Sequence, residues 1–234
     1  VDTSCVQHDE GLQTGSILIL ITPDAQRTML SSAGATRHLD AAFLNPDDIT
    51  SCDALVMSAY SLIGGLQREY AVKALDIAKR AGLTTFIDMG SGAVNALQDR
   101  LISLTQDFDY LLMNQKELLT LTGATSISEA VNGLAHEGIK RVIVKVGEKG
   151  SLVITPEVTE LIEAYEIDGV VDSTGAGDYY TAAFAHGIME GYDLREAARL
   201  GNIAGALNTV QVGAQKSDLS VEILEHYAKE LTTA

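Results

Sequence analysis

Paired cysteines, histidine ligand motifs, basic clusters and long apolar runs are all missing from this chain, and each absence removes a class of function. The two cysteines, Cys5 and Cys52, stand far apart and lack the C-x-x-C spacing of a redox or metal site, so reduced thiols in a cytoplasmic protein are expected. His8, His38, His136, His186 and His226 form neither H-x-x-H nor H-E-x-x-H, which leaves zinc or triad chemistry without support. Ser91 sits in no G-x-S-x-G elbow, because Met89 takes the first glycine position. A dinucleotide fingerprint, G-x-G-x-x-G after an early strand with an acid about 20 residues on, is also not found. No apolar run approaches the ~18–20 residues of a membrane span, and Val1-Asp-Thr-Ser-Cys5 has neither a basic n-region nor an apolar h-region. Lys and Arg number 16 against 32 Asp and Glu, a formal net charge of −16, so neither nucleic acid nor an anionic membrane is an expected partner.

The positive content is ordinary for a globular protein: 46% hydrophobic and 21% charged residues in 234, enough for one sizeable domain spanning 1–234. From Ala54 the chain alternates strands and helices. Strand Ala54–Ser58 leads to a helix over Gln67–Ala81 closed by Gly82, then to strand Thr84–Asp88, a helix over Ala93–Thr105 and strand Asp109–Met113. A short helix opens at Asn114, another at Ser126, and a strand follows over Arg141–Val146. Ser151–Ile154 and Thr159–Ile167 read as an antiparallel edge extension, Asp193 and Leu219 open further helices, and the C-terminal helix runs to Leu231. This order predicts a three-layer α/β/α fold with a mostly parallel central sheet and right-handed crossovers. Earlier, Ser16–Ile21 reads as a buried strand ending at a Thr22-Pro-Asp24 turn, with Gln26–Leu30 as a hairpin partner.

The most informative stretch is Asp172-Ser-Thr-Gly-Ala-Gly-Asp178. Gly175 and Gly177 let the backbone turn sharply so that N–H groups, including that of Ala176, converge, and a helix over about Ala176–Glu190 aims its positive end at the same point. A phosphate suits such a cradle. Asp178 in the first turn is a poor neighbour for a polyanion unless it takes a proton from a hydroxyl; the plainer alternative is that it complements the helix dipole. Asp88 and Asn114 follow parallel strands and share the rim where such sheets bind ligands. Asn114 and Glu117 have capping-box spacing, Lys145 ends a strand, and Gly147 turns the chain after it.

Followed by Tyr179-Tyr-Thr-Ala-Ala-Phe184, the Asp172–Asp178 stretch resembles the C-terminal signature of the ribokinase-like (PfkB) family of sugar and nucleoside kinases. The resemblance implies that Gly175, Ala176 and Gly177 form the anion hole and that Asp178 is the base. It further implies that Asn114 and Glu117 arrange Mg²⁺ and its waters, that Asp88 lies near the phosphates, and that Lys145, Gly147 and Asn202 border the nucleotide. No direct metal ligand is assigned. The expected activity is transfer of the γ-phosphoryl group of ATP to a hydroxyl of a small sugar or nucleoside, with Mg²⁺ as the metal. The alternative is a noncatalytic nucleotide-binding or partner protein derived from such a kinase. Tyr180 and Ala183 stand where the family often has Phe and Gly. The Arg27-Thr-Met and Tyr60 regions lean towards the adenosine-kinase-like branch. Nothing here matches the family's N-terminal strand, β-sheet lid and early substrate-binding Asp, so a fragment lacking about 60–80 residues is expected. Residues 16–30 would then be a lid remnant with exposed apolar edges, and a homodimer through lid strands would require the absent part.

Overall fold

Aliphatic residues at successive positions need cover on both faces of a strand, and the chain satisfies that demand in one region and not in another. The structure, a computed structural model, describes residues 2–21, 27–215 and 219–230. It divides into two compact units, Val1–Leu55 with Ser61–Thr84, and Val56–Tyr60 with Thr85–Ala234. In the first, β1 (Ser16–Ile21) pairs antiparallel with β2 (Arg27–Ser32), Ser16 facing Ser32, and the two form a sheet of their own. The expected hairpin pairing is present. Burial of β1 is not: Ile17, Leu18, Leu20, Met29 and Leu30 are all exposed, because a ribbon of two strands carries no second layer of its own. The Thr22-Pro-Asp24 turn lies outside the described residues. Farther on, α1 (Pro46–Thr50) is capped by Asn45, whose side chain accepts from the Asp47 N–H, with Pro46 in the first turn. Helix α2 (Gly65–Ala81) ends at Gly82 and packs beside α1.

The main sheet has six strands in the order β3 (Ala54–Ser58), β4 (Thr84–Asp88), β5 (Tyr110–Asn114), β6 (Val142–Lys145), β7 (Ser151–Ile154), β8 (Thr159–Ile162). Strands β4, β5 and β6 run parallel, with Asp88 opposite Leu112 and Asn114 opposite Lys145. The two later strands extend the edge antiparallel. Phe86, Ile87, Leu111, Leu112, Met113, Ile143 and Val144 are buried, as near-continuous apolar strands require when helices cover a parallel sheet. Two expectations shift. The helix over Ala93–Thr105 is two, α3 (Ser91–Leu97) and α4 (Asp99–Thr105), broken at Gln98 with φ 46°. The strand from Thr159 stops at Ile162 rather than Ile167, because its partner β7 begins at Ser151, which faces Ile162.

Beyond β5 come α5 (Gln115–Thr122) and α6 (Ile127–His136), and after β8 come α7 (Ala176–Met189), α8 (Leu194–Thr209) and α9 (Val221–Glu230); Leu231 lies outside the described residues. An aromatic cluster fixes α7. Phe184 meets Phe86 and Tyr110 edge-on at 6.3 and 5.7 Å, and Tyr180 stacks on Phe184 at 6.3 Å. The Tyr180 hydroxyl donates to Ser151 Oγ at 2.8 Å, which accounts for tyrosine at this buried position. Helix α8 approaches closely because Gly201 lacks a side chain; a Cβ there would come within 2.8 Å of the Tyr180 ring. Asp193 and Glu196 form the capping box that starts α8. No helix among the described residues is long and apolar enough to cross a membrane.

Candidate active site

Adjacent parallel strands end together, and here their last residues are Asp88 on β4, Asn114 on β5 and Lys145 on β6. The carboxyl ends of such strands open onto a crevice. A cavity of about 660 Å³ lies there, lined on the strand side by Ser58, Tyr60, Asp88, Asn114, Glu117, Lys145 and Gly147. Its helix side is formed by Ala176, Gly177 and Asp178 at the start of α7 and by Asn202, Gly205 and Thr209 on α8. Asp178 and the start of the Asn114 helix thus share one cavity, as expected of a common rim.

The loop entering α7 is held by its own hydrogen bonds. Asp172 Oδ1 accepts from the Thr174 N–H at 2.9 Å and its hydroxyl at 2.6 Å, while Oδ2 accepts from the Gly213 N–H at 3.0 Å. Asn208 Nδ2 holds the Thr174 carbonyl at 2.8 Å, leaving Asn208 Oδ1 buried without a hydrogen-bond partner among the described residues. Gly175, the residue before α7, adopts φ 83°, and a Cβ there would stand 2.9 Å from Ala214 Cα; glycine is required twice over. Gly177 is different. It lies within α7 and outside the positive-φ glycines, so it makes no sharp turn; the turn at Gly175 already suffices to start the helix. A Cβ on Gly177 would instead sit 3.4 Å from Lys145 Nζ, between the helix end and the ammonium. The Gly177 and Asp178 amides have no backbone acceptor among the described residues, as the first turn of a helix dictates.

Lys145 Nζ donates to Asp88 Oδ2 at 2.7 Å, the two side chains being 16% and 20% exposed. The same oxygen accepts from the Thr181 hydroxyl at 2.6 Å. Burial pushes the Asp178 carboxyl above the ordinary aspartate value, Asp88 pushes it further, and Lys145 opposes both. A half-buried carboxyl beside two free amides and a cation is suited to receiving a proton next to a bound anion.

Asn114 and Glu117 form a complete capping box. Glu117 Oε2 accepts from the Asn114 N–H and Asn114 Oδ1 from the Glu117 N–H, both at 2.9 Å, and Glu117 Oε1 accepts from Ser91 Oγ at 2.9 Å. No group of three or more His, Cys, Asp or Glu among the described residues could hold a metal ion directly. A magnesium ion that keeps most of its water and touches one or two protein oxygens suits this rim. Asn202 Nδ2 donates to the carbonyls of Ile162 at 3.0 Å and Glu163 at 2.9 Å, tying α8 to the end of β8. Tyr60 stands at the rim with its hydroxyl accepting from the Gly92 N–H at 3.1 Å. Sequence reasoning missed Thr181 and Asn208; their partners lie 93 and 34 residues away, and no local pattern marks either.

Residues 1–221 match the pfkB family of carbohydrate kinases. The chain is 28% identical over 225 residues to a ribokinase of Staphylococcus aureus, covering 93% of this chain and 70% of that protein. Among solved structures it resembles an adenosine kinase from Sinorhizobium meliloti with TM-score 0.84 and 26% identity, covering 94% of this chain and 67% of that one. A ribokinase from Thermotoga maritima gives TM-score 0.76 and 26% identity over 93% of this chain and 70% of that one. The mostly parallel sheet flanked by helices is the one these proteins share.

Proposed function

The chain belongs to the pfkB family of carbohydrate kinases, and from that premise we propose that it transfers the γ-phosphoryl group of ATP to a hydroxyl of a small sugar or nucleoside, with Asp178 as the base. The observation that carries this reading is the shared cavity: Asp178, Gly177, Lys145 and Asn114 all line it. Kinases of this type use ATP with Mg²⁺, which supply the phosphoryl group and the divalent charge that offsets it.

Asp178 accepts the proton of the acceptor hydroxyl as the oxygen becomes nucleophilic, and its raised affinity for protons brings it nearer the operating pH. The amides of Gly177 and Asp178, with the positive end of α7 behind them, hold the oxygens of the transferring group. The expected anion hole of Gly175, Ala176 and Gly177 is shifted here towards Gly177 and Asp178, because the Ala176 N–H donates to the Ser173 carbonyl at 3.3 Å; Gly175 and Ala176 set the start of that helix. Lys145 adds a cation whose position Asp88 fixes, and Gly147 and Asn202 border the nucleotide. Asn114, Glu117 and Asp88 stand where the waters of Mg²⁺ would be held. A cytoplasmic setting with free thiols is part of the same proposal, Cys5 and Cys52 being unpaired. The test is steady-state phosphorylation with Mg-ATP over a panel of sugars and nucleosides, beside nucleotide titration of the wild type and Asp178→Asn. Turnover on at least one acceptor is expected, and near wild-type turnover by Asp178→Asn would remove Asp178 as the base.

A further inference from the structure

Thr181 lies three residues after Asp178 on α7, so the two side chains leave the same face of the helix. It is buried, and its hydroxyl donates to Asp88 Oδ2. That oxygen is also the acceptor of Lys145 Nζ. One carboxylate oxygen therefore gathers a hydroxyl from α7 and an ammonium from β6, and the ammonium ends 3.4 Å from the place a Cβ on Gly177 would occupy. Only one of the three donors of Lys145 has an acceptor among the described residues. The others are available to an anion at the start of α7.

We propose that Thr181 is a positioning residue for phosphate binding and transfer, acting through Asp88 to hold the Lys145 ammonium at the Gly177 cradle. An aspartate carboxylate rotates in a broad, two-fold well about its last torsion. With two donors converging on one oxygen, that rotation is restricted from both sides. Without the Thr181 hydroxyl, Asp88 is held, among the described residues, only by the lysine it is meant to place, and the long lysine stem regains its own rotamers. This inference rests on the reading of the cavity as a phosphoryl-transfer site.

The experiment compares wild type, Thr181→Val, which keeps the shape and deletes the hydroxyl, and Thr181→Ser, which keeps the hydroxyl. Binding of magnesium-free inorganic tripolyphosphate is measured by calorimetry, and turnover with Mg-ATP is measured separately. Thr181→Val is expected to bind tripolyphosphate about three- to tenfold more weakly and to lose a similar factor in kcat, with acceptor KM little changed. Thr181→Ser should stay within about twofold of wild type in both. If circular dichroism finds Thr181→Val unfolded, Thr181→Ala replaces it in the same comparison. Equal tripolyphosphate affinity in wild type and the hydroxyl-free variant overturns the proposal, and so does a Thr181→Ser protein as weak as Thr181→Val. A wild type inert on every acceptor, but with the expected order of tripolyphosphate affinities, would overturn the kinase reading and support the role of Thr181.

Discussion

Strands β1 and β2 carry Ile17 and Leu30 at 60% and 56% exposure, whereas β4 and β6 carry Phe86 and Ile143 at 0%. Both regions are rich in aliphatic side chains, so apolar content is not what separates them. The difference lies in cover. Parallel strands reach their neighbours only through crossovers long enough to hold a helix, and those helices bury the strand faces; a hairpin closes with a short turn and brings no layer with it. An isolated two-stranded ribbon is of marginal stability in water, and stability is accordingly expected to vary along this chain.

Chemistry separates the two regions most sharply. Every residue lining the 660 Å³ cavity belongs to the unit that contains β4–β8. Asp178→Asn is expected to lower turnover by ~10² to 10⁴ with nucleotide affinity nearly unchanged, read by steady-state kinetics and titration. Next in size, Phe86→Ala removes a fully buried ring from the aromatic cluster and should cost about 3–5 kcal/mol in urea unfolding. Leu18→Thr on the exposed hairpin should change stability by within about 0.5 kcal/mol. Equal losses for the two would erase the distinction between the regions.

Gly175→Ala meets both a left-handed φ of 83° and the Ala214 backbone. A loss of about 1–3 kcal/mol is expected, together with weaker nucleotide binding. The smallest effect concerns pH. The folded protein holds the Asp178 proton at pH values where the unfolded chain has released it, so the ionised carboxyl opposes folding once pH rises above the ordinary aspartate range. Asp178→Asn should therefore resist urea slightly better than wild type at pH 7, and the advantage should vanish below about pH 4. An advantage that grows on acidification would contradict the burial of this carboxyl.

Elements with local chemical signals were legible in the sequence. The capping boxes at Asn114 and Asp193 and the glycine that closes α2 act within a few residues of themselves, so spacing alone locates them. Asn45-Pro-Asp-Asp48 carries the same kind of signal for α1 and went unread among polar neighbours. The break at Gln98 has no glycine or proline to announce it, and the early end of β8 depends on where β7 begins, a fact of pairing rather than of the segment itself. At the site, the turn at Gly175 and the place of Asp178 in the first turn of α7 were legible because both are set by the local chain. Lys145 was legible as a strand end that the family resemblance sets beside the nucleotide; that its ammonium turns inward to Asp88 follows from a partner 57 residues away. Thr181 carries the same lesson, since a threonine on a buried helix face looks like packing until the opposing carboxylate is seen.

Asn114 is at once the last residue of β5, in register with Lys145, and the cap of α5. Strand and helix meet there with no spacer, and both the main chain and the side chain of Asn114 are tied to Glu117. Mechanically, such a junction is a weld and not a hinge. A push on Glu117 is carried straight to the strand end facing Lys145, with no soft torsion between to absorb it. The opposite wall is built otherwise: Ala164, Tyr165, Glu166, Ile167 and Val170, which line it, lie in a stretch outside any helix or strand, so one side of the cavity is a rigid joint and the other a strung cord.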